Sequence, residues 1–145
     1  MPIQFAVDPG LDLWYVVGTG HATGTEYVAC MKASVEDPHF HLDIDLLLDL
    51  RSVAELDVSL AEVKKIFALD KTLFGNQPQR YRAAVLARNL TDRMLTQLYA
   101  AMVKSSGVHV SAFYQLRDAL RWLDRPQAEA EVLALRETML APTTA

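Results

Sequence analysis

The chain has 145 residues, 51% of them apolar and 22% charged, with a formal net charge of −4 and a pI near 5.5. That length suits one domain with one core, and the balance is that of a globular chain, not a disordered one. The acidic charge argues against a nucleic-acid backbone or an anionic membrane as main partner, and a lone cysteine, Cys30, excludes an intrachain disulfide or a thiolate metal cluster.

The first residues, Met-Pro-Ile-Gln-Phe, carry no basic segment leading into an apolar one, so no signal peptide is expected and the cytoplasm is the expected compartment. Ile3, Phe5 and Val7 alternate as on a half-buried strand. Asp8-Pro9-Gly10 is turn chemistry, and 13–18 reads as a second strand closing a hairpin. The glycine-rich stretch 18–24 reads as a strand-to-helix turn whose backbone amides, with His21, could meet a small anion. It lacks the spacing of a nucleotide-binding loop. Thr23-Gly24-Thr25-Glu26 is a capping box. It opens a helix with Tyr27, Val28, Met31 and Val35 on one face, Cys30 as a core thiol, and Asp37-Pro38 as its end.

Residues 44–50, dense in aliphatics, predict a central strand. Asp43, Asp45 and Asp49 share a parity and are read as facing solvent or a helix N-terminus. His39, His41 and Asp43 also share a face, but solvated polar residues of an approach loop account for them, and no metal is expected. Ser59-Leu60-Ala61-Glu62 is a second capping box, with Val58 and Val63 placed to form a hydrophobic staple. The helix it opens runs to Phe74, turning Val63, Ile66, Phe67, Leu73 and Phe74 inward, with Gly75 as its stop.

A fourth strand follows over 83–87. Arg80, Arg82 and Arg88 cluster at its ends, as contacts for an anion or acidic partner or as charges paired with nearby acids. Thr91 and Asp92 are read as caps of a third helix with an inward stripe of Leu95, Leu98, Tyr99 and Met102, ending near Gly107. Val108 to Phe113 is the fifth strand. A short helix carrying Leu116, Ala119, Leu120 and Leu123 ends before Pro126. A last helix over 127–141 has an apolar stripe of Val132, Leu135 and Met139, which must be covered either by the domain's own sheet or by a second subunit in a homodimer.

Two stretches carry a family resemblance. Val108-His109-Val110-Ser111-Ala112-Phe113 followed by Ala119-Leu120-Arg121-Trp122-Leu123, and the upstream Arg80 to Leu86, resemble the SpoIIAA-like family, over roughly residues 3 to 123. The resemblance implies a STAS-type α/β domain: a mixed five-stranded sheet flanked by helices, spanning the chain, with 127–141 as an additional helix. It implies a non-catalytic regulatory or protein-interaction module, since STAS antagonists bind a partner kinase and are switched by phosphorylation of a serine in an Asp-Ser-Ser-Gly motif. Here the matching stretch is Asp57-Val58-Ser59-Leu60: Val58 stands where the phosphoacceptor is expected and Leu60 where the glycine is.

The partner and phospho-site candidates are therefore Asp57 and Ser59, and the anion or partner contacts His21, Arg80 and Arg82. No catalytic residue, cofactor or stable membrane insertion is expected. The alternative, from the family's likeness to apolar-ligand-binding proteins, is a carrier of a small apolar molecule such as a lipid. It would show as a pocket of several hundred cubic ångströms lined by Leu60, Val63, Phe67 and Leu98.

Overall fold

The computed structural model describes residues 2–74 and 81–142. Two strands open the chain, β1 (Ile3–Asp8) and β2 (Leu13–Thr23), followed by α1 (Gly24–Ser34) and β3 (Asp45–Asp57). Then come α2 (Leu60–Phe74), β4 (Arg82–Leu86), α3 (Leu90–Val103), a 3-10 turn over Lys104–Ser106, and β5 (His109–Phe113). Two helices, α4 (Leu116–Trp122) and α5 (Glu129–Leu140), close it. The sheet has the spatial order β1-β2-β3-β4-β5. β1 and β2 form the expected antiparallel hairpin, and every other neighbouring pair is parallel. Parallel neighbours need crossover helices, and α1, α2 and α3 supply them.

Strand alternation splits the core in two. Leu13, Tyr15 and Val17 of β2, with Leu47, Ala84 and Leu86, face α4 and α5, where Leu116, Ala119, Leu120, Leu123 and Val132 close on them. Trp14 and Val16, with Leu46, Ala83 and Val85, face α1 to α3 and meet Cys30, Met31, Ile66 and Val103. All five residues from Leu13 to Val17 are at most 1% exposed. That is the signature of a central strand covered on both sides. The stripe of α5 is covered by the chain's own sheet: Val132 is fully buried, and Leu135, Met139 and Leu140 pack against the same cluster.

Several elements differ from the sequence reading. The stretch 18–23 is not a turn but the second half of β2, which pairs with β3 as far as Thr23↔Asp57, and Gly24 already opens α1. Its glycines serve the strand. A Cβ on Gly18 would stand 2.7 Å from Val53 Cγ2, and Gly20 takes a φ of 60° where the register with β3 shifts. A left-handed glycine beside a register shift is how a bulged strand takes an extra residue without strain. β3 likewise runs seven residues past Leu50. There it pairs with β2 alone, because β4 accompanies it only over Leu46 to Asp49.

Asn89, not Thr91 or Asp92, caps α3, its side chain accepting from the Asp92 amide. Asp92 is instead buried and paired with Arg88 at 2.8 Å, and Arg88 also donates to the Val53 carbonyl on the open edge of β3. Of the inward stripe expected for α3, Leu95 and Tyr99 line the space between sheet and helices, beside buried Asp92 and Thr96, and Met102 is half-buried; Leu98 alone turns outward, at 44% exposure. Gly75 and Arg80 lie outside the described residues.

Candidate functional site

Because β2, β3 and β4 are parallel, the starts of α1, α2 and α3 gather along one edge of the sheet. At that edge both expected capping boxes form. The Thr23 hydroxyl accepts from the Glu26 amide while Glu26 accepts from the Thr23 amide. Ser59 and Glu62 repeat the exchange, at 3.2 and 3.0 Å. Each box satisfies amides that a helix start leaves without an intrahelical partner.

Glu62 does more than cap its own helix. Its carboxylate also reaches the start of α1, where its Oε2 lies 2.6 Å from the place a Cβ on Gly24 would take. One acid thus serves two helix N-termini, whose amides and dipoles favour negative charge. The Ser59 hydrogen bond first, and the Lys65 and Thr25 interactions after it, hold Glu62 below the usual carboxylate range.

Three of the five expected site residues meet here. His21 Nε2 lies 3.6 Å from Asp57 Oδ2, both side chains more than half exposed, and exposed Ser59 follows two residues on from Asp57. Arg82 does not join them. It starts β4 at the opposite edge, where its amide and guanidinium bond Asp45, and its guanidinium also reaches Asp124 and the carbonyls of Trp122 and Leu123. Arg80 falls outside the described residues. His41 pairs with Asp12, and among the described residues no three His, Cys, Asp or Glu side chains gather as metal ligands.

Asp45 and Asp49 do not face solvent as expected. Asp45 is 8% exposed and sits between Arg82 and Arg125, the latter 2.7 Å away. Asp49 is fully buried: it accepts from Arg51 and, at 2.8 Å, from the Tyr15 hydroxyl, with Arg136 Nε 3.3 Å away. Burial pushes its carboxyl up, but the Arg51 and Tyr15 interactions outweigh that and leave it below the usual range. The signal was present in the sequence. An aspartate inside an aliphatic run of a central parallel strand has no solvent face and must be paired.

Two apolar features lie on the α1–α3 side. One is a cavity of about 120 Å³ between sheet and helices, walled by Leu46, Leu48, Val63, Ile66 and Val85 among others. Of the four residues expected to line a pocket, Val63 does so. Leu60 and Leu98 are exposed instead, at 55% and 44%. The other feature is an outward stripe on α3: Leu90, Met94 and Leu98 are 64%, 58% and 44% exposed, four residues apart and so on one face. Of the stripe read as core in α3, only Leu98 belongs to this outward row.

No family model matches the chain, and no curated protein matches it. Solved structures do. One is an uncharacterised protein of the DUF3478 family from Shewanella loihica PV-4, described as having a SpoIIAA-like fold. It covers 83% of this chain and 93% of its own, at 17% identity and a TM-score of 0.53. At that identity the likeness bears on the fold, and the fold is SpoIIAA-like: an α/β mixed five-stranded sheet flanked by helices. No helix among the described residues is long and apolar enough to cross a membrane.

Proposed function

We propose that the protein is a non-catalytic, cytoplasmic interaction module whose partner is a regulatory protein docking on the edge where α2 and α3 begin. The observation that carries this reading is the exposed stripe Leu90, Met94 and Leu98, joined at the same edge by exposed Leu60. Large apolar side chains left in a row on a helix mark an interaction surface more often than scattered ones do. Ser59, Asp57 and His21 then provide a polar rim, the usual surround of an apolar interface centre.

The test compares proteins retained from native-cell extract by the wild type and by Leu90→Glu with Met94→Glu, both positions exposed and outside the core. Loss of a specific partner at unchanged melting temperature supports the reading, and identical retention by both refutes it. Light scattering of the same pair detects a second copy of this chain as the partner. Phosphorylation of Ser59, next to the Val58 that stands at the expected phosphoacceptor position, would be the regulatory step of such a module. A phosphate brings nearly two negative charges onto the hydroxyl that accepts from the Glu62 amide, beside the Glu62 carboxylate, and would expel that carboxylate from its cap. Mass spectrometry of protein from its own cells decides it, and no phosphate on Ser59 under any growth condition retires the switch.

A second reading, binding of a small apolar molecule, is favoured by the cavity. Its 120 Å³ lies below the roughly 300–1,000 Å³ of drug-sized sites, which restricts any occupant to about the size of benzene.

A further inference from the structure

The cavity between the sheet and α1 to α3 meets polar groups at two places: Asp92 and Thr96 of α3, already bonded to Arg88 and to the Asp92 carbonyl, and a second group near the end of α2. Asp70, on the last turns of α2, and Tyr81, just before β4, both line it, at 2% and 4% exposure. The Tyr81 hydroxyl donates to Asp70 Oδ1 at 2.8 Å. Tyr27 and Tyr99 line the same space, close enough for the Asp70 charge to act on both phenols. Burial pushes the Asp70 carboxyl up, with the Tyr81 hydrogen bond opposing.

A carboxyl is an unusual wall for such a space. The other inward positions of α2, Val63 and Ile66, are aliphatic and close the core without polar atoms. A carboxylate offers about four acceptor sites on two oxygens. The hydrogen bond found for Asp70 among the described residues occupies Oδ1. That one bond uses one of those sites, and a ligand's donor could take another. The volume sets the size of that ligand, since an apolar cavity of roughly 150 Å³ takes up benzene.

We propose that this cavity selects a benzene-sized, mainly apolar molecule bearing one hydroxyl or amino group, which donates to Asp70 while Tyr81 holds the carboxyl in place. The proposal rests on the second reading above, that the cavity takes a small apolar molecule, and adds the polar group that the ligand must carry.

The test titrates the full chain with benzene, phenol and aniline, following amide shifts of Leu46, Val63 and Val85, in the wild type and in Asp70→Leu. In the wild type phenol or aniline is expected to bind within about tenfold of benzene despite its stronger hydration. In Asp70→Leu it is expected to weaken by about tenfold or more, one lost hydrogen bond, while benzene binds as well or better. Should Asp70→Leu not fold, Asp70→Asn is read the same way: it loses the charge and the second acceptor oxygen, so the phenol-to-benzene ratio falls, by less than in Asp70→Leu. Phenol and benzene changing together in both variants overturns the polar selection and leaves the apolar reading standing. If no probe shifts the wall amides of the wild type, both fail.

Discussion

Asp49 gives the sharpest test of how this fold is held together. Asp49→Asn keeps the side chain's size and removes its charge. What remains is the Tyr15 hydroxyl, fully buried, and the Arg51 and Arg136 side chains, 31% and 28% exposed. Removing one partner of a buried ion pair costs about 3–5 kcal/mol when the charge left behind is cut off from water. Here both arginines reach solvent, so the ion-pair loss falls to about 2 kcal/mol or less. A weakened bond to the buried Tyr15 hydroxyl adds about 1 kcal/mol. The expected loss is about 3 kcal/mol, or on the order of 10 °C in melting temperature for a domain of this size.

The assay is urea unfolding at several pH values, with Asp43→Asn, at an exposed carboxylate, as control. Asp43→Asn should stay within about 0.5 kcal/mol. The pH dependence has a definite sign. Asp49 titrates lower in the folded chain than its unfolded value of 3.8, so its contribution is complete above that pH and is lost as pH falls below it. The gap between wild type and variant should therefore be widest near neutrality and shrink below pH 4 or so. An Asp49→Asn cost no larger than that of Asp43→Asn, or one that is flat with pH, would refute the reasoning.

Three further outcomes follow from the packing. Ser59→Ala should cost about 1 kcal/mol through the lost cap, read as a drop in melting temperature. Cys30, 6% exposed and pushed up to about 11 by burial, should resist a thiol reagent in the native state and react at once in denaturant. Val132→Ala should destabilise by about 1–3 kcal/mol, judged from the transfer and cavity costs of a fully buried side chain, and should leave the oligomeric state unchanged because α5 seats on its own sheet.

The order of elements was legible in the chain because each strand and helix carries its own period and its own start signal. Both capping boxes formed where Thr23-x-x-Glu26 and Ser59-x-x-Glu62 place them. The lengths of β2 and β3 were not legible. Gly18 and Gly20 read as turn residues, yet one is required by the approach of Val53 and the other by a register shift, and neither neighbour is visible locally. Beyond Leu50, β3 buries little except Val53, so its apolar signal fades while its hydrogen-bonded pairing with β2 continues.

Parity put Asp45 and Asp49 on a common face but cannot say what covers it. The arginines that neutralise them include Arg125 and Arg136, some eighty residues further along. For α3, the expected Leu95 and Tyr99 do face inward, but they share that face with Asp92 and Thr96, which is tolerated because Arg88 neutralises the acid and Thr96 bonds back to the Asp92 carbonyl. Of the candidate site, His21, Asp57 and Ser59 converge because parallel strands end together. Arg82 begins a strand where they end strands, and so lies across the sheet from them.

The double duty of Glu62 has a mechanical consequence. With one carboxylate capping α2 and lying against the first turn of α1, the two helix starts share a charge. Whatever pulls that acid away, whether a bulky group on Ser59 or a competing cation, uncaps Ser59 and takes negative charge from the start of α1, next to the far end of β2. Two crossovers separated in the chain are thereby coupled through a single side chain.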